Sequence, residues 1–152
     1  MLGTLSALLE KGLKFAVEKK FDPVVLVNAR LAPDMLPLSR QIQIACDLAK
    51  NSSSRLAGLE PPRFEDNEST IEELRTRIAR TIDHVKSIPA SAIDGSEDRD
   101  VKIPLRDGTL DMKGLAFLRS WALPNFYFHV VTTYALLRHN GLEIGKRDFL
   151  AM

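Results

Sequence analysis

Two polar side chains, Asn125 and His129, stand four residues apart in a stretch that is otherwise almost entirely apolar, from Trp121 to Gly141. Pro124 near the beginning of this stretch and Gly141 at its end are typical of helix boundaries. Residues four apart share one face of a helix, so these two side chains are able to contact the same ligand. Because an unpaired buried polar group costs roughly 1–3 kcal/mol, each must find a partner, and we expect the functional site here.

Each of the two side chains has a structural interpretation beside the functional one. His129 is either a ligand-binding or catalytic imidazole, or a core histidine with one nitrogen bonded to Asn125, Gln41 or a buried water. Asn125 is either an amide that orients a ligand or a residue that satisfies backbone groups near Pro124, which lacks an N–H donor. Thr132 and Thr133 continue the polar stripe, but threonines in helices usually bond carbonyl groups of the preceding turn.

Arg30 and Asp34 lie in an irregular connection that contains Pro33 and Pro37. One interpretation places them over the mouth of the site, where a guanidinium would bind an anionic group through two parallel hydrogen bonds. The other, which is the commoner arrangement, is a mutual ion pair that holds the connection in place.

The remaining reactive side chains are interpreted as structural. We expect His84 to be solvated, because it lies opposite the apolar stripe of its helix, and His139 to satisfy carbonyl groups in the last turn of its helix. Cys46 has no clearly electropositive setting, which indicates an inert or partly buried thiol. The chain has no Walker loop, Gly-rich dinucleotide turn, paired CxxC motif or HExxH motif, so the commonest enzyme classes are excluded.

The composition is that of an ordinary globular protein. The 152 residues include 21 Lys and Arg against 20 Asp and Glu, and this net charge of +1 does not favour nucleic acid or a membrane surface as a partner. We expect one domain, residues 1–152, with its own hydrophobic core. A single cysteine excludes an internal disulfide, and no leader or long apolar run is present, so we expect a cytoplasmic protein.

Apolar residues at helical spacing predict four main helices, with a short helical piece between the first two. The predicted ranges are residues 2–20, 22–26, 38–57, 69–87 and 121–141, with Gly58 ending the third range and a capping box at Ser69–Glu72 beginning the fourth. In residues 38–57 the pattern places Leu38 and Ile42 toward the core, with Gln43 and Asp47 facing away. Residues 101–112 predict a β-hairpin that turns at Asp107–Gly108, and residues 114–122 resume helical spacing.

Together with this order of elements, five segments carry a family resemblance: Asn28–Met35, Arg40–Ile44, Leu123–His129, Leu137–Gly141 and Gly145–Phe149. The chain resembles the DinB/YfiT-like helical-bundle superfamily, and more closely one of its domain-of-unknown-function branches. The resemblance implies a mostly α fold, an up-and-down four-helix bundle with a small β-hairpin inserted before the last helix. Relatives commonly begin with further helical turns, so we expect Met1 to be an internal or misassigned start. The resemblance also implies a bacterial-type protein that forms a homodimer.

The wider superfamily typically binds a divalent metal through three histidines, one on the second helix and two spaced by four residues on the last. In this chain His129 matches the second histidine of the pair, and Asn125 stands at the position of the first. The position on the second helix falls on Gln41 or Gln43, and helical phase favours Gln41. Amide oxygens are poor ligands for zinc or nickel, so the resemblance implies a degenerate metal site in which His129 alone keeps a metal-binding side chain.

The sequence is therefore compatible with three functions. The first is a small-ligand pocket between the second and last helices, lined by Gln41, Asn125 and His129, with Arg30 and Asp34 near its mouth. The second is a divalent-metal enzyme, with zinc or nickel, that acts as a thiol-dependent transferase or isomerase by analogy with relatives. The third is a non-catalytic dimerisation or scaffold protein.

Overall fold

The computed structural model describes residues 1–105 and 107–152, and most of them lie in helices. The four long helices, each within two residues of its predicted bounds, are α1 (Leu2–Lys19), α3 (Leu38–Leu56), α4 (Ile71–Ser87) and α7 (Leu123–His139). The shorter elements are α2 (Val24–Val27), α5 (Ala90–Ile93), β1 (Asp100–Leu105), β2 (Gly108–Lys113), α6 (Gly114–Ala116), a π-helical turn (Phe117–Ala122) and α8 (Lys146–Leu150). The predicted mostly helical fold with a hairpin before the last long helix is confirmed.

The four long helices pack around one apolar core. Helix α3 packs against both α4 and α7, and α1 contacts the same two helices from the other side. Apolar residues at helical spacing supply this core, including Leu5, Leu8, Leu9, Leu38, Ile42, Ala45, Ile71, Leu74, Ile78, Val130, Leu136 and Leu137. The periodicity in the sequence therefore marks the faces that the bundle buries.

The beginning of α4 has the predicted motif, shifted by one residue. Thr70, not Ser69, is the N-cap, and its hydroxyl accepts a hydrogen bond from the backbone N–H of Glu73 at 3.2 Å. The Glu73 carboxylate in turn accepts from the backbone N–H groups of Ser69 and Thr70. The predicted pairing of Ser69 with Glu72 is wrong because Glu73 is the acidic residue that reaches both free N–H groups.

The hairpin packs against the end of α3 and the π-helical turn. Strands β1 and β2 are antiparallel, with Val101 opposite Met112 and Leu105 opposite Gly108. Arg106, which lies in the predicted hairpin just before the Asp107–Gly108 turn, is outside the described residues. Buried residues of β1 join the ends of α3 and the π-helical turn in a second apolar cluster of Leu56, Val101, Ile103, Phe117 and Ala122.

Helix α7 is not buried on every side, although its sequence is apolar almost all round. Leu123, Tyr127, Phe128 and Val131 lie on its exposed side, and the Phe128 side chain is 59% exposed. A helix that is apolar all round is usually the buried, central member of a bundle, but α7 packs mainly on α3 and, less extensively, on α1. The remaining side has no neighbour within the described part of the chain, which leaves an unusual apolar surface.

The segment between α3 and α4 covers a face that the sequence pattern assigned to solvent. Lys50 donates to the carbonyl of Pro62, and Arg77 donates to the carbonyl of Glu65 at 2.9 Å, so this segment lies across both helices. Gln43, predicted to face away, is buried beneath it and donates to the Glu68 carboxylate at 2.9 Å. The prediction for Gln43 fails because helical periodicity carries no information about which face a distant loop covers.

His84 is the other residue whose predicted exposure is wrong. Its Nε2 lies 2.8 Å from the hydroxyl oxygen of Ser54, which is fully buried on α3. The hydroxyl of Ser87 donates to the His84 carbonyl at 2.7 Å. His84 therefore links α4 to α3 instead of lying free in solvent.

None of the helices in residues 1–105 and 107–152 combines the length and apolar character needed to cross a membrane.

Candidate functional site

The antiparallel packing of α3 and α7 brings Gln41 and His129 together. The early turns of α3 lie beside the middle of α7, while Leu56 at the end of α3 meets Ala122 just before α7 begins. In this arrangement Gln41 Oε1 and His129 Nδ1 lie 2.7 Å apart. Gln41 is only 2% exposed and His129 is half-buried, so the contact lies at the edge of the core.

The backbone determines which way the Gln41 amide points. Its Nε2 donates to the carbonyl oxygen of Leu36 at 3.0 Å. A carbonyl oxygen is only an acceptor, so the amide nitrogen must face it and Oε1 must face the imidazole. Because Oε1 has no proton, His129 Nδ1 must be the donor in this pair. A neutral His129 ring then carries its unshared electron pair on Nε2.

The surroundings of His129 favour the neutral ring. Burial lowers the pKa of His129 below its ordinary value because a charged imidazolium loses hydration there. In the described part of the chain no ion pair involves His129, and Nε2 has no protein hydrogen-bond partner. The structure thus presents an oriented imidazole whose Nε2 can accept a hydrogen bond or bind an electrophile.

Asn125 makes a backbone contact one turn before His129. Its Nδ2 donates to the carbonyl of Trp121 at 2.8 Å, near the end of the π-helical turn. This bond corresponds to the structural interpretation, in which the amide satisfies a backbone group close to Pro124. Asn125 is half-buried and lies on the same helical face as His129.

The two threonines of the polar stripe bond their own helix. Thr132 donates to the Phe128 carbonyl at 2.7 Å, and Thr133 donates to the His129 carbonyl at 2.9 Å. Their hydroxyls therefore satisfy α7 itself, as the sequence indicated.

Arg30 and Asp34 are both exposed and do not form the expected mutual ion pair within the described residues. Arg30 instead donates to the carbonyl of Met35. Met35 directly precedes Leu36, whose carbonyl holds the Gln41 amide. Arg30 therefore stabilises the backbone segment that orients Gln41, while Asp34 makes no contact that connects it to the imidazole.

The donor set does not fit zinc or nickel. No group of three or more His, Cys, Asp or Glu side chains in residues 1–105 and 107–152 is arranged to hold a metal ion. Gln41 uses its nitrogen on Leu36 and its oxygen on His129, and Asn125 uses its nitrogen on Trp121. Where the superfamily resemblance implies a metal held by three imidazoles, the Gln41 amide here contacts the His129 imidazole directly.

An apolar groove of about 340 Å³ lies farther along the same helix pair. Its walls come from the second half of α3, the π-helical turn and the beginning of α7, and include Leu48, Ser52, Leu118, Ala122, Leu123 and Phe126. π-Helical turns are rare and are frequent near functional sites. Gln41, Asn125 and His129 do not line this groove.

A buried charged cluster on the opposite side of α3 was missed from the sequence. Arg77 is only 3% exposed, and its guanidinium contacts the carboxylates of Asp47, Asp66 and Glu68 at 2.9–3.0 Å. Lys50, also buried, lies over the ring of Phe64, 4.5 Å from its centroid. Charged residues at these positions resemble an ordinary solvated helix face, so the sequence alone carried no feature that would have identified the cluster.

The charges in this cluster stabilise one another. Burial alone would raise the pKa of Asp66, but hydrogen bonds and charges from Arg40 and Arg77 hold it below its ordinary value. Burial disfavours the charged Arg77, yet Glu68, Asp47 and Asp66 raise its pKa above the ordinary value. These residues hold the loop onto α3 and α4, which is a structural role.

Cys46 is not a candidate nucleophile. It is fully buried in the core, and burial raises the pKa of its thiol to about 11. The thiol is therefore protonated and inaccessible, in agreement with the inert interpretation of the sequence.

The fold and the geometry on α3 and α7 place this chain among the DinB-like helical bundles. The structure is similar to the crystal structure of a DinB family member protein from Shewanella denitrificans, with a TM-score of 0.92 and 41% sequence identity. The match covers 99% of this chain and 85% of that protein. No curated protein matches the chain.

A comparison of the sequence with family models identifies the family of this chain. The model of the family described as Domain of unknown function (DUF1993) matches residues 1–150. The chain therefore belongs to the DUF1993 family.

Proposed function

We propose that this DUF1993 protein binds a small molecule at a pocket between α3 and α7, with His129 as its central polar group and Gln41 and Asn125 beside it. The observation that carries the proposal is the His129 ring, whose Nδ1 is satisfied by Gln41 while Nε2 has no partner among the described residues. The Nε2 atom is not one of the buried unpaired atoms of the described residues, so it can be reached from solvent and is open to a ligand.

The apolar groove does not include the imidazole, but it offers an adjacent apolar surface to a ligand that extends along α3 and α7 from His129. A ligand pocket typically combines an apolar surface with a few oriented polar groups, and volumes begin near 300 Å³. The groove of about 340 Å³ and the imidazole lie along the same pair of helices. A cytoplasmic location is part of this proposal, because a chain with one buried thiol and no disulfide suits a reducing compartment.

The metal-enzyme alternative has less support. A thiol-dependent transferase or isomerase would need a site for zinc or nickel, and one imidazole with two occupied amides is a poor donor set for either ion. Elemental analysis of untagged protein tests this alternative directly. A stoichiometric divalent metal that is lost in His129→Ala would support the metal enzyme and contradict the metal-free pocket.

The pocket is tested by two-dimensional NMR with a library of small fragments added to the uniformly ¹⁵N-labelled chain. We expect at least one fragment to shift signals of α3 and α7 near Gln41 and His129. The shifts should be lost in His129→Ala and kept in His139→Ala, which removes an exposed imidazole from the same helix. Fragments that shift only distant surfaces, or shift both variants alike, would contradict the proposal.

A second candidate function, homodimerisation, is favoured by the exposed side of α7. Leu123, Tyr127, Phe128 and Val131 form a continuous apolar strip that contains no charge, so a second copy would meet it without like-charge repulsion. Phe128 also stacks edge-on against the His129 ring, with centroids 5.2 Å apart, so this surface adjoins the proposed pocket.

Sedimentation velocity tests the dimer with two matched charge substitutions. Phe128→Glu should convert a dimer to a monomer, because it places a charge in the centre of the apolar strip. Leu59→Glu changes an exposed apolar residue outside α7 and should leave the dimer intact. A wild-type chain that sediments as a monomer at all concentrations would contradict this candidate.

A further inference from the structure

We propose that Gln41 is a positioning residue that holds His129 in the Nδ1-protonated tautomer, so that Nε2 accepts a hydrogen bond from a neutral ligand bearing an N–H, O–H or S–H donor. This inference rests on the proposed pocket and adds the chemical class of its ligand. It begins from the three atoms that determine the proton position: the Leu36 carbonyl oxygen, the Gln41 amide and His129 Nδ1.

The first step is the orientation of the amide. If Gln41 were rotated, its oxygen would lie about 3.0 Å from the Leu36 carbonyl oxygen, and two acceptors would face each other without a proton. The observed orientation removes that repulsion and places Oε1 against the imidazole. Arg30 reinforces it from the other side, since it binds the carbonyl of Met35, the residue before Leu36.

The second step is the consequence for the ring. An acceptor at 2.7 Å from Nδ1 requires the ring proton on that nitrogen, and a neutral imidazole has only one such proton. Nε2 is therefore an acceptor. A ligand that offers a donor gains a hydrogen bond there, while a carboxylate or phosphate would bring its own lone pairs against the Nε2 lone pair. The site is thereby selective for neutral donors over anions.

The tautomer is measured directly by NMR of the full chain labelled with ¹⁵N in histidine, at about pH 8, where imidazoles are mostly neutral. We expect the wild-type His129 signals to show the proton on Nδ1. In Gln41→Leu the ring should return to the Nε2-protonated form that free imidazoles favour in water. Gln43→Leu is the matched control, because Gln43 is an equally buried glutamine on α3 that bonds Glu68 instead of the imidazole.

Each result decides the inference. A wild-type ring protonated on Nε2, or an unchanged tautomer in Gln41→Leu, overturns it. If Gln41→Leu does not fold, Gln41→Met replaces it, since the thioether is a poor acceptor for Nδ1–H and the ring should again return to the Nε2-protonated form. A Gln41→Met ring that keeps its proton on Nδ1 would also overturn the positioning role.

Ligand selectivity is tested with phenol and benzoate, which share a ring and differ in that phenol donates while benzoate only accepts. Phenol should shift the His129 Nε2 signal in a saturable manner, and benzoate should not. Equal shifts with both probes overturn the donor selectivity. If the Nδ1-protonated tautomer is observed and no donor molecule binds, the pocket fails while the positioning role of Gln41 stands, so the two proposals are separable.

Discussion

The α-carbon of Gly114 lies so close to Ser96 that a β-carbon added to it would be 2.0 Å from the Ser96 carbonyl oxygen. The Gly114 N–H also donates to the carbonyl of Arg99 at 2.9 Å. Gly114 begins α6, and α6 runs through the π-helical turn into α7. This close backbone approach therefore anchors the segment that ends in the helix carrying His129.

Gly114→Ala should destabilise the protein by about 1–3 kcal/mol, because a methyl group cannot enter this contact without moving backbone. The change is measured as the free energy of unfolding in urea. Gly145→Ala is the control, since a β-carbon there meets no atom within 4 Å. Equal stability of the two variants would show that the contact between Gly114 and Ser96 relaxes freely.

His84→Ala should cost about 1–3 kcal/mol, because it leaves the fully buried hydroxyl of Ser54 without its partner. Ser54→Ala should cost less, since it removes the buried hydroxyl as well. Thermal or urea unfolding measures both. His139→Ala, at an exposed position, should change stability by no more than about 0.5 kcal/mol. A loss in His139→Ala as large as in His84→Ala would argue against the link between α3 and α4.

Arg77→Leu should destabilise the protein by about 3–5 kcal/mol, because three carboxylates would remain near a buried apolar side chain. Hydrogen exchange should also become faster in the loop that carries Phe64. Arg80→Leu is the matched control, since the exposed Arg80 guanidinium contacts the Phe64 ring at 4.0 Å but forms no ion pair with the described residues. Similar losses in both variants would contradict a structural role that is specific to Arg77.

The pH dependence of stability should include a contribution from His129. Its folded pKa is lowered by burial, so the unfolded chain binds the proton more tightly. The stability that the neutral ring confers is fully present above the unfolded value of about 6.5 and is lost as pH falls from there through the folded value. Urea unfolding at a series of pH values should show this loss in the wild type.

His129→Asn should reduce that dependence, because Asn does not titrate and can still donate to Gln41. An NMR titration gives the second readout, with a midpoint for His129 below the ordinary imidazole value. A midpoint above that value would mean that an unrecognised acidic partner, and not burial, dominates the environment of the ring.

Local chemistry in the sequence determined the helices and the hairpin. Apolar spacing defined α1, α3 and α4, because a helix places every third or fourth residue on the face that the core buries. Gly58 was predicted to end the helix of residues 38–57. It lies just after α3 and adopts the left-handed conformation, with φ of 72°. The two short apolar runs on either side of residues 107–108 formed the expected strand pair.

The candidate site was only partly accessible from the sequence. The four-residue spacing placed Asn125 and His129 on one face, and helical phase preferred Gln41 over Gln43. Which of the two glutamines meets the imidazole, and which atom of its amide does so, depends on the α3–α7 packing and on the Leu36 carbonyl. Those contacts join residues up to 88 positions apart, and no local pattern encodes them.

Burial of charge and exposure of apolar surface were decided by tertiary structure alone. Gln43 and Arg77 occupy polar faces of their helices, yet the loop before α4 covers both. Phe128 belongs to an apolar helix, yet no neighbouring helix in the described part of the chain covers it. Sequence periodicity specifies the shape of each element and its preferred face. The number of neighbours that surround an element follows only from how the whole chain packs, because burial is a property of distant segments brought into contact.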